Sequence, residues 1–212
     1  MSVKSAIEFR KSVRVYDPNK EISASDFQMI IEAGRLAPTS NGLEPVKVVF
    51  LKDKTLKAKA AEQCFMGPNI NRVKEAPIAA LILVANGNYL ASPEFLTNRL
   101  GRIFQGDALK QRVEGMSKYV KGQKNMDMYS EEQAHIIASF MSLQAADLQI
   151  GTSIMGGVIE SSTAQFLADN NLVDPQKYHI ALGMVFGYFD ETKPGTCYPR
   201  VRIPQEEFAI IK

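Results

Sequence analysis

The sequence predicts a mixed α+β fold with few strands and much helix, and three stretches carry that prediction. Pro77 to Ala85 is a nearly continuous apolar run, as a central strand covered on both faces would be. Ala134 to Ile150 is apolar almost all round through Ile136, Ile137, Phe140, Met141, Leu143, Ala145, Ala146 and Leu148. Such a helix belongs in the core or in a subunit interface. Tyr178 to Phe189 reads as a further strand, with glycines at 183 and 187.

At 212 residues, the length suits one domain, or one domain with an elaboration. The chain is 45% hydrophobic and 23% charged, the balance of a globular protein with a good core. A net charge of +2 gives no reason to expect nucleic acid or an anionic membrane as partner. The N-terminus lacks an apolar signal region, and no apolar run approaches the roughly 20 residues that span a bilayer, so the chain reads as cytoplasmic. Two cysteines, Cys64 and Cys197, make no disulfide framework. Two histidines, His135 and His179, lack metal-ligand spacing and read as structural.

In order along the chain, Ser5 to Lys11 reads as a short helix, and Asp17-Pro18-Asn19 as a turn. Ser23-Ala24-Ser25-Asp26 has capping-box spacing before an apolar face of Phe27, Ile30 and Ile31. That helix should fade near Leu36-Ala37, because Pro38 disfavours helical geometry in the residue before it. A loop rich in hydroxyls and amides, Pro38 to Pro45, leads to a strand from Val46 to Leu51. Asp53 to Cys64 reads as an amphipathic helix closed by Gly67-Pro68, and Asn69 to Arg72 as a polar connection. Ser92-Pro93-Glu94 starts a helix with proline at its first position. Phe95 to Met128 reads as a helical excursion with a mobile connection near Gly122 to Asn125. Ser130 to Gln133 is a second capping box for the apolar helix, Gly151 to Gly157 a glycine-bounded loop, and Ser162 to Ala168 a short capped helix. The tail ends in a strand-like Phe208-Ala209-Ile210-Ile211.

The chemistry-bearing stretch is Arg10-Lys11-Ser12-Val13-Arg14. Guanidinium groups grip phosphate through paired N–H donors, and a serine hydroxyl adds a compact donor beside them. The five residues suit an anion clamp, or merely a solvated basic turn. A second basic pair, Arg200 and Arg202, lies almost a chain away. Gly151 and Gly156 have the glycine spacing of a P-loop, but Gly157 stands where its lysine should be. No G-x-G-x-x-G follows a strand, and no nucleophile elbow or carboxylate pair appears, so dinucleotide folds of the Rossmann type and hydrolases are disfavoured. Gly156-Gly157 either lets a backbone come close to a partner or is a simple turn. Cations at both ends with amide-rich loops between them suit holding a polar, planar cofactor better than activating a nucleophile.

Taken together, four motifs in order resemble the FMN-dependent nitroreductase family. The family's R-x-S-x-[RK] pattern stands as Arg10 to Arg14, and its proline-serine loop ending in [QE]-P-W as Ala37 to Pro45. Its P-[MI]-[GE]-G-F loop corresponds to Ile154-Met155-Gly156-Gly157-Val158, and its [KR]-x-R-x-P motif to Arg200-Val201-Arg202-Ile203-Pro204. The resemblance implies a nitroreductase-like α+β fold, a central mostly antiparallel sheet surrounded by helices, in an intertwined homodimer with FMN at the interface. It implies one FMN-binding domain over residues 1–212, with the helical excursion at about 92–128 and a C-terminal arm at about 197–212.

Carried over by position, Arg10, Lys11, Ser12, Arg200 and Arg202 would hold the FMN phosphate and ribityl chain. Arg14, Asn69 and Arg72 would reach the pyrimidine end, where the two arginines would stabilise reduced flavin. Pro38, Thr39, Ser40 and Gly42 would come from the partner subunit, and Met155, Gly156 and Gly157 would approach the flavin edge. The implied reaction is ping-pong, with NADH or NADPH reducing FMN and a nitroaromatic, quinone or similar small molecule reoxidising it, no side chain serving as nucleophile and no metal being needed. The alternative is an FMN carrier or regulatory protein with little turnover. Val46, Ile154 and Val158 depart from the pattern's tryptophan, proline and phenylalanine, and Gly42 lacks an amide often found there. These departures bear on the substrate pocket, for which Phe104, Tyr119 and Met126 are possible liners.

Overall fold

One antiparallel sheet organises the chain, in a computed structural model that describes residues 2–212. Its strands are β1 (Val46–Leu51), β2 (Ile78–Ala85), β3 (Gly151–Met155) and β4 (Tyr178–Gly187), in the spatial order β1-β2-β4-β3. β2 lies inside the sheet and all eight of its residues are buried, which is why its sequence is apolar without alternation. The period-two rule still sorts its side chains. Ala79, Leu81, Leu83 and Ala85 enter one core, and Ile78, Ala80, Ile82 and Val84 the other. A register shift opposite Ile82 and Leu83 skips Ala181 of β4, so both cores remain filled beyond it.

Helices cover both faces. α1 (Val3–Phe9) precedes α2 (Ala24–Leu36), whose cap Ser23 accepts a hydrogen bond from the Asp26 amide at 3.0 Å. α2 stops at Leu36, with Ala37 already extended before Pro38, as the sequence predicts. α2 and the long α8 (Met126–Asp147) pack on one face of the sheet. On the other lie α3 (Lys54–Cys64), α4 (Asn69–Glu75), α5 (Gly87–Leu90), α6 (Pro93–Leu100), α7 (Gly106–Lys121) and α9 (Glu160–Asp169).

Several expectations are corrected. The polar connection at 69–72 is a helix, α4, and Gly87–Leu90 forms a further turn of helix capped by Asn86. α1 starts two residues before the expected Ser5 and ends at Phe9, and the strand expected to reach Phe189 stops at Gly187. The apolar helix starts at Met126, not after Ser130, because Asn125 accepts from the amides of Asp127 and Met128 and so caps a turn earlier. Ser130 is therefore interior and buried, its hydroxyl without a partner among the described residues. That helix buries Ala134, Ile137, Ala138, Met141 and Ala145, but leaves Ile136 37% and Phe140 42% exposed. α9 starts at Glu160, and the Ser162 hydroxyl donates to the Gln63 carbonyl instead of capping.

The stretch from Gly151 to Met155 is no loop but an edge strand, which satisfies the outer hydrogen-bonding edge of β4. Gly151 is needed there, since a Cβ would lie 2.5 Å from the Phe189 ring. The strand-like end at 208–211 pairs with nothing among the described residues; a short helix, α10 (Gln205–Phe208), precedes an extended Ala209 and exposed Ile210 and Ile211. A strand requires a partner edge, and among the described residues the tail lies against none.

Candidate functional site

The two basic ends meet. Beyond α1 the chain turns extended, and Ser12 forms a parallel bridge to Thr152 of β3, with the Val13 amide donating to the Thr152 carbonyl at 2.9 Å. This backbone pairing sets Arg10, Ser12 and Arg14 along the outer edge of β3. The tail returns to the same edge: the Arg14 amide donates to the Thr196 carbonyl at 2.9 Å. The Arg200 guanidinium donates to the carbonyls of Glu8, at 3.1 Å, and Arg10, tying the tail to the end of α1.

Together these segments line a hollow of about 160 Å³ containing Arg10, Ser12, Arg14, Arg200 and Arg202. None of its four arginines is ion-paired among the described residues, whereas Lys11 is paired to Glu191 at 2.7 Å. The Arg10 guanidinium is held below its ordinary range, first by burial and then by the charges of Arg200 and Arg202. Concentrated positive charge without a carboxylate is what an incoming anion relieves. Arg14 lies over the Tyr198 ring, 4.2 Å from its centroid, and donates to the Ser12 carbonyl at 3.0 Å. Tyr198 was not among the expected residues; its only signal is an aromatic ring two positions before Arg200.

The second group follows from the far end of β3. Phe65 and Val158 form an isolated antiparallel bridge that fixes the chain leaving Met155. The Gly157 carbonyl accepts from the Met66 amide at 3.1 Å and from Asn69 Nδ2 at 3.3 Å. Arg72 in turn donates to Asn69 Oδ1 at 2.8 Å. A Cβ on Gly157 would strike Asn69 Nδ2 at 2.7 Å, while Gly156 faces open space. The glycine pair thus exposes bare backbone on one side and is buttressed by the Asn69–Arg72 pair on the other. Buried Tyr16 lies between the two groups: its hydroxyl donates to the Val13 carbonyl at 3.0 Å, and its phenol feels the charges of both Arg72 and Arg14. Burial, the larger effect, pushes that phenol well above its usual range.

Pro38, Thr39, Ser40 and Gly42 join neither group. The Ala85 amide donates to the Pro45 carbonyl at 2.8 Å, which holds their loop at the Val46 end of β1. Ser12 and Thr152 sit beside the opposite edge, level with Phe186 and Ile78. The offset is about 14 Å across the strands and about 20 Å along them. Tyr129 and Gln133 of α8 secure the loop: Tyr129 Oη donates to Ser40 Oγ at 2.7 Å, and the Ser40 amide to Gln133 Oε1 at 2.9 Å. Asn41 and Gly42 take left-handed backbone there, at φ 55° and 63°. Of the expected pocket liners, Tyr119 is exposed and meets Tyr129 edge-on, whereas Phe104 and Met126 pack against the core. Ile154 is exposed, and Val46 and Val158 are half-buried.

Comparison with known proteins adds family and fold. A profile described as the nitroreductase family matches residues 7–188, which leaves Arg200 and Arg202 beyond the matched stretch. A Haemophilus influenzae protein provisionally named an NAD(P)H nitroreductase is 31% identical over 190 residues, covering 84% of each chain. A nitroreductase family protein from Streptococcus pneumoniae shares the fold with a TM-score of 0.78 at 21% identity, over 99% of this chain and 98% of that one. A provisionally assigned nitroreductase from Exiguobacterium sibiricum, solved in complex with FMN, shares it with a TM-score of 0.74 at 18% identity, over 100% and 98%.

Proposed function

The chain belongs to the nitroreductase family, and from that membership and the geometry above we propose that it is an FMN-dependent oxidoreductase carrying reducing equivalents from NAD(P)H to a small organic acceptor. Nitroaromatics, quinones and activated alkenes are the acceptor classes we assign to it, with donor and acceptor using the site in turn. The observation that carries the reading is the convergence of Arg10, Ser12, Arg200 and Arg202 on one hollow that contains no carboxylate. Guanidinium forks and a hydroxyl fit a phosphate monoester, and the open backbone at Gly156 fits the edge of a planar ring.

When bound, FMN supplies the redox chemistry, accepting a hydride and passing electrons on. In this reading the residues of the chain bind and orient. Arg10, Ser12, Arg200 and Arg202 hold the phosphate end. Arg14, kept in place by Tyr198, and Arg72, kept in place by Asn69, supply positive charge near the other end, where it stabilises negative charge that develops on reduction. Lys11 contributes less, its charge already balanced by Glu191.

The loop at Pro38 to Gly42 completes the site from a second copy of the chain. Two features support this: within one chain the loop lies at the diagonally opposite corner of the sheet, and apolar side chains stand exposed both on the tail (Phe208, Ile210, Ile211) and on α8 (Ile136, Phe140). A second copy of the chain would cover these side chains.

Protein purified with FMN should be yellow, and anaerobic NADH or NADPH should bleach it, with menadione or nitrofurazone restoring the colour. Yellow protein that neither donor bleaches would contradict the enzyme and favour a flavin carrier. Protein that cannot be reconstituted with FMN would overturn both.

A further inference from the structure

A second set of cations, outside the arginine hollow, surrounds a cavity of about 490 Å³ at the Leu51 end of β1. It lies between the turn at 17–21, the start of α3 and the junction of α4 with β2. Four lysines line it, Lys52, Lys54, Lys57 and Lys74, against two carboxylates, Glu21 and Glu75. Neither carboxylate is ion-paired to a lysine among the described residues; Lys74 pairs outward with Glu62, and Lys52 lies over the Phe27 ring at 5.2 Å.

Lys57 distinguishes this cavity from an ordinary basic surface. It is only 5% exposed, and its ammonium donates to the carbonyls of Ala76 and, at 3.3 Å, Pro77. Those bonds cap the end of α4 and account for two of its three donors. They do not account for its charge, since carbonyl dipoles solvate a cation without neutralising it, and a buried charge without a counter-ion is costly. Burial first, and then the nearby charge of Lys54, hold the Lys57 amine below its ordinary range. An anion in the cavity would supply the missing counter-charge and accept from the third donor. The volume falls within the roughly 300–1,000 Å³ of small-molecule sites and exceeds what a bare ion needs. Ile22, Pro77 and Ile78 add apolar lining to the same cavity.

We propose that this cavity is a second ligand site, distinct from the arginine hollow, that takes a small phosphorylated molecule through Lys57 at its base and Lys52 and Lys54 at its mouth. The inference is independent of the flavin reading, because it uses no residue of that site.

Inorganic pyrophosphate serves as the probe, titrated calorimetrically into the full-length, FMN-saturated protein at constant ionic strength. The parent should bind it, and the Lys52→Gln/Lys54→Gln double variant, which alters only exposed side chains, should bind it at least tenfold more weakly. Lys57→Met should abolish binding, with circular dichroism reporting whether α4 survives the loss of its cap. The Arg10→Ala variant should bind pyrophosphate like the parent. Undetectable binding by the parent, equal affinity in parent and double variant, or loss of binding in Arg10→Ala would each overturn the proposal, the last by placing the ion in the arginine hollow.

Discussion

Replacing Arg10 with alanine is expected to weaken FMN binding by about 10- to 150-fold while leaving the fold intact. The range follows from removing one charged donor group, worth roughly 1.5–3 kcal/mol when it bonds an anion. The charge of Arg10 is crowded by burial and by both tail arginines. A phosphate therefore relieves more repulsion there than at an exposed lysine. Its guanidinium makes no ion pair among the described residues and lies beyond the last residue of α1, so the core does not depend on it. Fluorescence titration of FMN measures the loss, and urea unfolding monitored by circular dichroism checks the fold. Lys11→Ala is the internal contrast, with a smaller loss, because Glu191 already engages that ammonium. Parent-like affinity in Arg10→Ala would mean that the phosphate lies elsewhere.

The largest expected effect on stability is at Phe65. Truncation to alanine should destabilise the protein by about 3–5 kcal/mol, the usual range for a buried phenylalanine. Domains commonly have only about 5–15 kcal/mol to lose. Phe65 is fully buried, and its ring fills the space above Gly183 of β4, where a Cβ would approach to 2.1 Å. Its backbone also bridges to Val158, just beyond the glycine pair. The cavity left beside that bridge lets the segment carrying Gly156 and Gly157 shift, so the variant should lose flavin affinity as well as stability. Equilibrium urea unfolding gives the first quantity; a loss below about 1 kcal/mol would show that the Phe65 site collapses without consequence.

These two positions illustrate what could be read from the chain and what could not. Arg10 and Arg202 were legible as phosphate chemistry because the information is local: donor type and spacing. That they share one hollow depends on the Ser12–Thr152 bridge and the Arg200 contacts, pairings between residues more than a hundred positions apart. The same division runs through the fold. α2, α3 and β2 carry their own caps or apolar runs, and they form where the sequence places them. β3 does not, because a five-residue edge strand of Gly-Thr-Ser-Ile-Met is extended only by virtue of β4 beside it. α8 begins a turn early because two capping signals compete, and Asn125 is the one whose side chain accepts the free amides. Phe65 carries no local mark at all, since its importance comes from a glycine more than a hundred residues away. Lys57 is similar: its cavity gathers lysines from two separate stretches, 52–57 and the end of α4.

The central claim is that arginines from one chain and the Pro38–Gly42 loop from another hold FMN between them. Sedimentation velocity, recorded in the visible absorption band of bound flavin, tests it most directly. All flavin should migrate with a species of twice the chain's 23.5 kDa mass, and none with the single chain, even when dilution populates both. Flavin that stays bound to a species of one chain's mass would contradict the claim.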